Sequence, residues 1–177
     1  WLKIVIERMV PMTRAFRLGD GALVRFHGGS SGEAGEIDLI LAKSKIRGKP
    51  ALIASHTQFH RLSAGKTTLV LDAGAPPTVQ ANRWAHAGTL AFEMSAGEER
   101  LIVNCGSTRQ MGAEWHQVLR ATAAHSTVVV DDINSSEVLR NGGLGRRTHN
   151  VQCSRREIDG RSILEAASDG DKGIFDL

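Results

Sequence analysis

The chain has no tyrosine, only two cysteines and only four prolines among its 177 residues. Two cysteines cannot build a disulfide framework, and Cys105 and Cys153 lack the close spacing of zinc or redox motifs. We therefore expect both to be buried thiols. Five Phe and three Trp leave few aromatic rings for stacking on nucleic-acid bases.

The chain also lacks a large excess of basic or acidic residues and any long uninterrupted apolar stretch. The 22 basic side chains are nearly balanced by 19 acidic ones, a net charge of +3, so the composition does not indicate a nucleic-acid partner. The N-terminal stretch carries Lys3, Glu7 and Arg8 and no small-residue cleavage site, so we predict neither a signal peptide nor a membrane span. No nucleophile elbow, P-loop or dinucleotide fingerprint is present.

The length and a hydrophobic content of 41% suit one domain with one sizeable core. The sequence begins with Trp1 rather than Met and stops within a strand-like run at 174–177. We therefore expect it to be a piece of a longer protein. Its cellular compartment cannot be read from such ends.

Two periodicities divide the chain. Apolar residues at helical spacing predict a helix over 2–16, which Pro11 would kink or end, and a second short helix over 36–45. A short strand is expected over 22–28. From residue 51 the period changes to two, and hairpins are predicted around 64–66 and 96–98.

Three further strand patterns follow, over 126–132, 150–158 and 162–168, the last two joined by the tight-turn dipeptide Asp159-Gly160. At least six strands joined by hairpins favour an antiparallel arrangement over a βαβ fold. The predicted fold class is mainly β, an antiparallel β-sandwich or multilayer β-sheet with one or two short helices near the N-terminus.

Potential metal ligands stand where predicted strands begin or end. His86 leads into one strand, Asn104 closes the next and His125 opens the third. Two neutral imidazoles and an amide oxygen could hold a divalent ion such as zinc. The spacing is far from a zinc-finger pattern, and chemistry alone favours the alternative of strand-end side chains bonded to the backbone.

Arg120 and Trp84 are the candidate substrate-binding residues. A guanidinium can clamp a carboxylate in bidentate fashion, and the face of an exposed indole matches the C–H face of a pyranose ring. The alternatives are a solvated or structural ion-pair partner for Arg120 and core packing for Trp84 and Trp115.

Three ordered blocks carry a family resemblance: RMVPMTRAFRLGDGALVRFHG (8–28), AHAGTLAFEMSAGEERLIVNCG (85–106) and WHQVLRATAAHSTVVVDD (115–132). Together they resemble the C-terminal part of the heparinase II/III-like proteins, most of which are bacterial polysaccharide lyases. These proteins join an N-terminal α/α toroid to a C-terminal multilayer antiparallel β-sheet domain. The resemblance implies that residues 1–18 are the terminal helix or linker of a missing toroid, and that 19–177 are a β-sheet domain truncated at its C-terminus.

The resemblance also implies an activity. The full-length parent would cleave an acidic polysaccharide, such as a glycosaminoglycan, by β-elimination at a uronic acid, in the periplasm if it degrades glycans. The family's metal ligands fall on His86, Asn104 and His125.

The sequence departs from the family pattern at several functional positions. Trp84 replaces a catalytic histidine, Gly88 replaces an aspartate and Asn104 replaces an acidic ligand. The toroid supplies the family's catalytic tyrosine, which this chain lacks. No catalytic residue is therefore assigned here, and we expect the fragment alone to be inactive. The alternatives are a non-catalytic glycan-binding or structural β-sandwich domain and, with less support, a cupin-like metal enzyme.

Overall fold

The computed structural model describes residues 1–78, 80–106 and 112–170. The helices are α1 (Leu2–Ala15), α2 (Ala34–Ser44) and α3 (Ala113–Val118), with 3₁₀ turns at Asn82–Trp84 and Thr122–Ala124. The strands are β1 (Ile53–Ala54), β2 (Phe59–Ala64), β3 (Thr67–Asp72), β4 (Phe92–Ala96), β5 (Glu99–Ile102), β6 (Val151–Ile158) and β7 (Arg161–Ser168). The strand-like run predicted at 174–177 lies outside the described residues.

Strands β1 to β5 form one antiparallel sheet in chain order, and β6 and β7 form a separate two-stranded sheet. The mainly β prediction is confirmed, including all three hairpins. In the β6–β7 turn, Asp159 and Gly160 both have positive φ, at 50° and 73°. That conformation is what the Asp-Gly dipeptide predicts for a tight hairpin.

The two N-terminal helices pack on each other because each carries an apolar stripe. Val10 of α1 meets Ile37 and Leu41 of α2 in one buried cluster. Helix α1 continues past Pro11 to Ala15, although a proline was expected to kink or end it. A second cluster places Leu18, Val24 and Val70 together, so the segment after α1 covers the sheet at β3.

A buried ion network fixes the segment after α1 to the edge of the sheet. The Arg100 guanidinium donates to Asp20 Oδ2 at 2.7 Å, and its Nη1 lies 3.5 Å from Glu93 Oε2. Glu93 is fully buried, and its Oε1 accepts the backbone N–H groups of Arg25 and Asn104. One carboxylate thus joins the N-terminal segment, β4 and the end of β5.

Two predicted strands were wrong. Residues 126–132 form no strand but one isolated bridge, Val130 to Ile133, because Asp131 and Asp132 take positive φ and turn the chain back. Residues 22–28 likewise contribute only a bridge from Leu23 to Arg17. In both segments, backbone N–H groups donate to loop carbonyls or to side chains instead of to a neighbouring strand.

The cysteine prediction was also wrong. Cys105 is exposed, and Cys153 is partly exposed on the two-stranded sheet. Within the described residues, no helix combines the length and apolar character needed to cross a membrane.

Candidate functional site

His86 and His125, far apart in the sequence, are brought into direct contact. His86 Nδ1 lies 3.0 Å from His125 Nε2, and the two rings meet edge to face with centroids 5.1 Å apart. His86 follows the 3₁₀ turn that ends at Trp84, and His125 follows the 3₁₀ turn Thr122–Ala124. His125 was expected to open a strand, but a short turn positions it instead.

Hydrogen bonds define which ring nitrogens carry protons. His125 Nδ1 lies 2.8 Å from the Ala121 carbonyl, which can only accept, so this nitrogen donates. In neutral His125, Nε2 then accepts the hydrogen bond that His86 Nδ1–H donates. The remaining nitrogen, His86 Nε2, is left with a free lone pair. A Cβ at Gly28 would lie 3.0 Å from that nitrogen, so glycine keeps its approach open.

His27 and Asp72 extend this pair into a cluster that the sequence analysis missed. His27 Nδ1 accepts the backbone N–H of His86 at 3.3 Å, and His27 Nε2 donates to Asp72 Oδ2 at 2.9 Å. Asp72 is the last residue of β3, a position like that which drew attention to Asn104. That shared position was a usable signal. We call His27, Asp72, His86 and His125 the histidine cluster.

Burial keeps His86 and His125 neutral near pH 7. Desolvation, with smaller contributions from His125, His27, Arg120 and His116, lowers the pKa of His86 to about 3. Desolvation also lowers the pKa of His125, against a raising effect of its bond to the Ala121 carbonyl. Near pH 7 each ring therefore keeps one unprotonated nitrogen: His86 Nε2, which is free, and His125 Nε2, which faces His86 Nδ1.

The depressed pKa of His86 predicts acid-sensitive folding. Unfolded His86 binds a proton near its ordinary pKa of 6.5, whereas the folded residue resists protonation down to about 3. The unfolded state therefore binds more protons within this window, and stability falls as the pH falls. Between pH 7 and 5, His86 should cost the metal-free protein on the order of 2 kcal/mol.

Urea unfolding at both pH values, with a chelator present, measures this loss. His86→Gln should flatten the dependence on pH, whereas the exposed His56→Gln should leave it unchanged. An unchanged slope in His86→Gln would contradict the assignment.

The Asn104 amide contacts the residue that follows His125, where it has a structural role. It is 1% exposed, and its Oδ1 accepts the Ser126 backbone N–H at 3.0 Å. Its Nδ2 is buried and finds no hydrogen-bond partner within the described part of the chain. The oxygen retains a second lone pair, so it is available to a metal ion only as a shared, neutral donor.

The predicted zinc ligands fit such an ion in part. Two nitrogens bound to one tetrahedral zinc ion lie about 3.3 Å apart, close to the 3.0 Å between His86 Nδ1 and His125 Nε2, so zinc would replace the hydrogen bond between the rings and the His86 proton would move to Nε2. The His125 bond to a backbone carbonyl is a common way to orient a zinc ligand. Residues 1–78, 80–106 and 112–170 contain no group of three or more His, Cys, Asp or Glu side chains that could hold a metal. A third ligand would have to be Asn104 or lie elsewhere.

Arg120 is fully buried, so its guanidinium contacts the backbone rather than solvent. Its Nε donates to the Ala85 carbonyl at 2.9 Å, and its Nη2 donates to the Gly143 carbonyl at 2.7 Å. Gly143 in turn donates its N–H to the Arg83 carbonyl. Arg120 therefore braces the backbone on both sides of Trp84. A direct clamp on a substrate carboxylate stays a prediction.

Trp84 is exposed on this braced turn, with 61% of its surface accessible. The Arg83 guanidinium lies over the indole at 5.3 Å, and the His116 ring meets it edge to face at 5.4 Å. Trp115 is also exposed. Neither tryptophan therefore packs in the core, which was the alternative considered for both. The indole and the adjoining guanidinium form an amphipathic, positively charged surface two residues from His86.

Gly88 fits closely against His125. A Cβ at this position would lie 2.7 Å from His125 Cδ2, so an aspartate could enter only if the ring moved. Glycine at position 88, where the family pattern has an aspartate, therefore leaves the space that the His125 ring occupies.

Solved heparinases share this arrangement of elements. The chain matches a crystal structure of heparinase III with a TM-score of 0.57 at 12% identity, covering 95% of this chain and 32% of that one. It matches a mutant of the heparan sulfate lyase HepC from Pedobacter heparinus with a TM-score of 0.55 at 15% identity, covering 88% and 29%. At these identities the likeness shows the fold.

A curated sequence relative is the FtsZ-localized protein C of Caulobacter vibrioides, 31% identical over 176 residues. The alignment covers 97% of this chain but 28% of that protein, so the chain spans less than a third of the relative's length. The family model for heparinase II/III-like C-terminal domains matches residues 46–172. The chain therefore belongs to the heparinase II/III-like family, as its C-terminal domain.

Proposed function

We propose that this chain is the β-sheet domain of a polysaccharide lyase-like protein that cleaves uronic-acid-containing glycans by β-elimination. The supporting observation is the histidine cluster, in which neutral imidazoles and a carboxylate lie beside an exposed tryptophan. The domain supplies one wall of the binding cleft, and an N-terminal α/α toroid supplies the other. The fragment alone is then inactive.

The proposed reaction removes one proton, breaks the C4–O4 bond and adds one proton to the leaving oxygen. A base takes the proton from C5 of the uronate, the C4–O4 bond breaks as the C4–C5 double bond forms, and an acid protonates O4. Negative charge develops on the uronate carboxylate during proton removal, so neutralising that group lowers the barrier. In the metal-free domain, His86 Nε2 offers a lone pair for binding, and His27 holds a proton on the nitrogen that faces Asp72.

A divalent metal ion, zinc in our proposal, would be held by His86 and His125 with Asn104 as a weaker third ligand. When bound, it would supply positive charge next to the substrate carboxylate. An amide replaces an acidic ligand here, so we expect weaker binding than at a site with a carboxylate.

The lyase proposal predicts a new ultraviolet absorbance from the unsaturated uronate end. We expect the full-length protein to produce it from at least one of heparan, alginate or chondroitin oligosaccharides, and His86→Ala to reduce the rate by about 10–100-fold. The matched control is His56→Ala, an exposed histidine outside the cluster. Equal rates for the two variants would contradict a role for His86, and robust turnover by the isolated fragment would contradict the need for the toroid.

Trp84 is proposed as a stacking platform for a sugar ring, positioned by Arg120. We expect Trp84→Ala to weaken binding of uronate oligosaccharides by about 10-fold, because one exposed aromatic contact is worth about 1–2 kcal/mol. Calorimetric titration measures the affinity, and thermal unfolding should be unchanged. Trp1→Ala, which removes another exposed indole, should bind as the unmodified protein does. Unchanged affinity in Trp84→Ala would remove this residue from the site.

A second candidate is a non-catalytic glycan-binding domain. Trp84 at a histidine position and Gly88 at an aspartate position favour it, because both changes remove groups that can transfer protons. The Caulobacter vibrioides relative is named for localisation with FtsZ and not for an enzymatic activity. Binding of uronate oligosaccharides by the full-length protein without any new absorbance would support this function over the first.

A further inference from the structure

A long part of the chain has no acidic residue. Between Asp38 and Asp72 there is no Asp or Glu, whereas this stretch holds several Lys and Arg. The cations are densest over residues 43–49, where all are exposed: Lys43, Lys45, Arg47 and Lys49. The nearly neutral composition of the whole chain therefore hides a local excess of positive charge.

Two of these cations, Lys45 and Arg47, line a cleft between α1 and the end of α2. The cleft has a volume of about 380 Å³ and is lined by Arg14, Leu41, Ala42, Lys45, Ile46 and Arg47. Its lining includes three cations and no carboxylate. This volume lies within the range of small-ligand sites. We call it the basic cleft.

Arg14 presents an unused donor at this cleft. Its Nη2 donates to the Ile46 carbonyl at 2.8 Å, which holds the guanidinium in place. Its Nη1 is buried and has no hydrogen-bond partner among the described residues. A buried N–H group without an acceptor is unfavourable, and a small movement of the Arg14 side chain toward the cleft would let a bound oxyanion satisfy it.

Local stabilisation of α2 accounts for only part of these charges. Lys43, in the last turn, is favourable at the negative end of the helix. Arg47 and Lys49 lie beyond the C-cap Lys45, where the helix dipole has faded. The ion pairs found in the described part of the chain use none of the four cations over residues 43–49.

We infer that the basic cleft is a second binding site for the acidic polysaccharide, receiving a carboxylate or sulfate group of the polymer. The inference rests on the proposed function. A short basic segment is a common feature of polyanion sites. The residues that line the basic cleft include no aromatic side chain, so the stacking that single-stranded nucleic acids use is missing here. A cleft also suits an acid group that projects from a chain better than it suits a flat lipid surface.

Charge reversal in the full-length protein tests the cleft. We expect Lys45→Glu with Arg47→Glu to lower affinity for alginate- or heparin-derived oligosaccharides by at least about 10-fold at low salt. The dependence of affinity on salt should weaken by about one counterion per lost contact. The matched control, Lys66→Glu with Arg161→Glu, makes the same charge change at exposed positions in two hairpins and should lose much less. Arg14→Gln should weaken binding without added negative charge.

Each other result would overturn the inference. Equal losses in the two double variants would show a general charge effect, while binding that still depended on Trp84 would leave the proposed function standing. Tighter binding to single-stranded DNA or to vesicles of anionic phospholipid would assign the cleft to another ligand. If the unmodified protein bound no acidic oligosaccharide, the proposed function and this inference would fail together.

Discussion

Replacing Arg120 with alanine should lower the free energy of unfolding by about 3–5 kcal/mol. The change leaves the buried carbonyls of Ala85 and Gly143 without their donors and opens a cavity where a fully buried side chain had been. Domains of this size are stable by only about 5–15 kcal/mol, so much of the stability would be lost. Urea denaturation followed by circular dichroism measures the change.

Two further variants separate the causes of this loss. Arg140→Ala removes an exposed arginine and should change stability by less than about 0.5 kcal/mol. Arg120→Lys keeps the charge, but it cannot donate to both carbonyls through a planar fork. We therefore expect it to be less stable than the unmodified protein and more stable than Arg120→Ala. If Arg120→Lys folds stably yet binds uronate oligosaccharides less well, Arg120 positions the Trp84 surface. A loss similar to that of Arg140→Ala would contradict the bracing role.

Replacing Glu93 with alanine should cost about 3–5 kcal/mol. The backbone N–H groups of Arg25 and Asn104 would lose their acceptor, and Arg100 would keep only its pair with Asp20 and its bond to the Leu23 carbonyl. Because Glu93 joins the N-terminal segment to two strands, we expect amide hydrogen exchange to rise first over residues 17–28.

The conservative variant Glu93→Gln tests whether the charge or the acceptor matters. It keeps an oxygen for the two backbone donors and loses only the attraction to Arg100, so we expect a smaller loss of about 1–2 kcal/mol. Glu99→Ala, at an exposed position of β5, is the matched control and should be nearly neutral. Equal losses in Glu93→Gln and Glu93→Ala would mean that charge alone carries the effect.

Local patterns predicted the hairpins well. The β2–β3, β4–β5 and β6–β7 pairs follow from alternation of apolar residues interrupted by turn residues, and both are properties of neighbouring positions. The strand predicted over 126–132 does not form because Asp131 and Asp132 turn the chain away from any partner strand. A strand needs a neighbour, and the pattern cannot supply one.

The candidate site was predictable only in part. His86 and His125 were identified from their positions at predicted strand ends, and the structure places them in contact. His27 and Asp72 were missed, although both end strand-like runs, because one sequence does not show which ends meet. The burial of Arg120 and exposure of Trp84 reverse the usual preferences of these residue types.

By itself, the sequence determined that the chain is mainly β, that its strands pair as hairpins, and that it resembles the heparinase II/III-like family. Those features depend on periodicity, turn chemistry and ordered motifs, which short stretches of sequence carry. Tertiary structure alone decided that His27, Asp72, His86 and His125 form one cluster and that Arg120 braces Trp84 from within. Such contacts join residues far apart in the chain, and burial, which holds His86 neutral, arises only when the segments pack together.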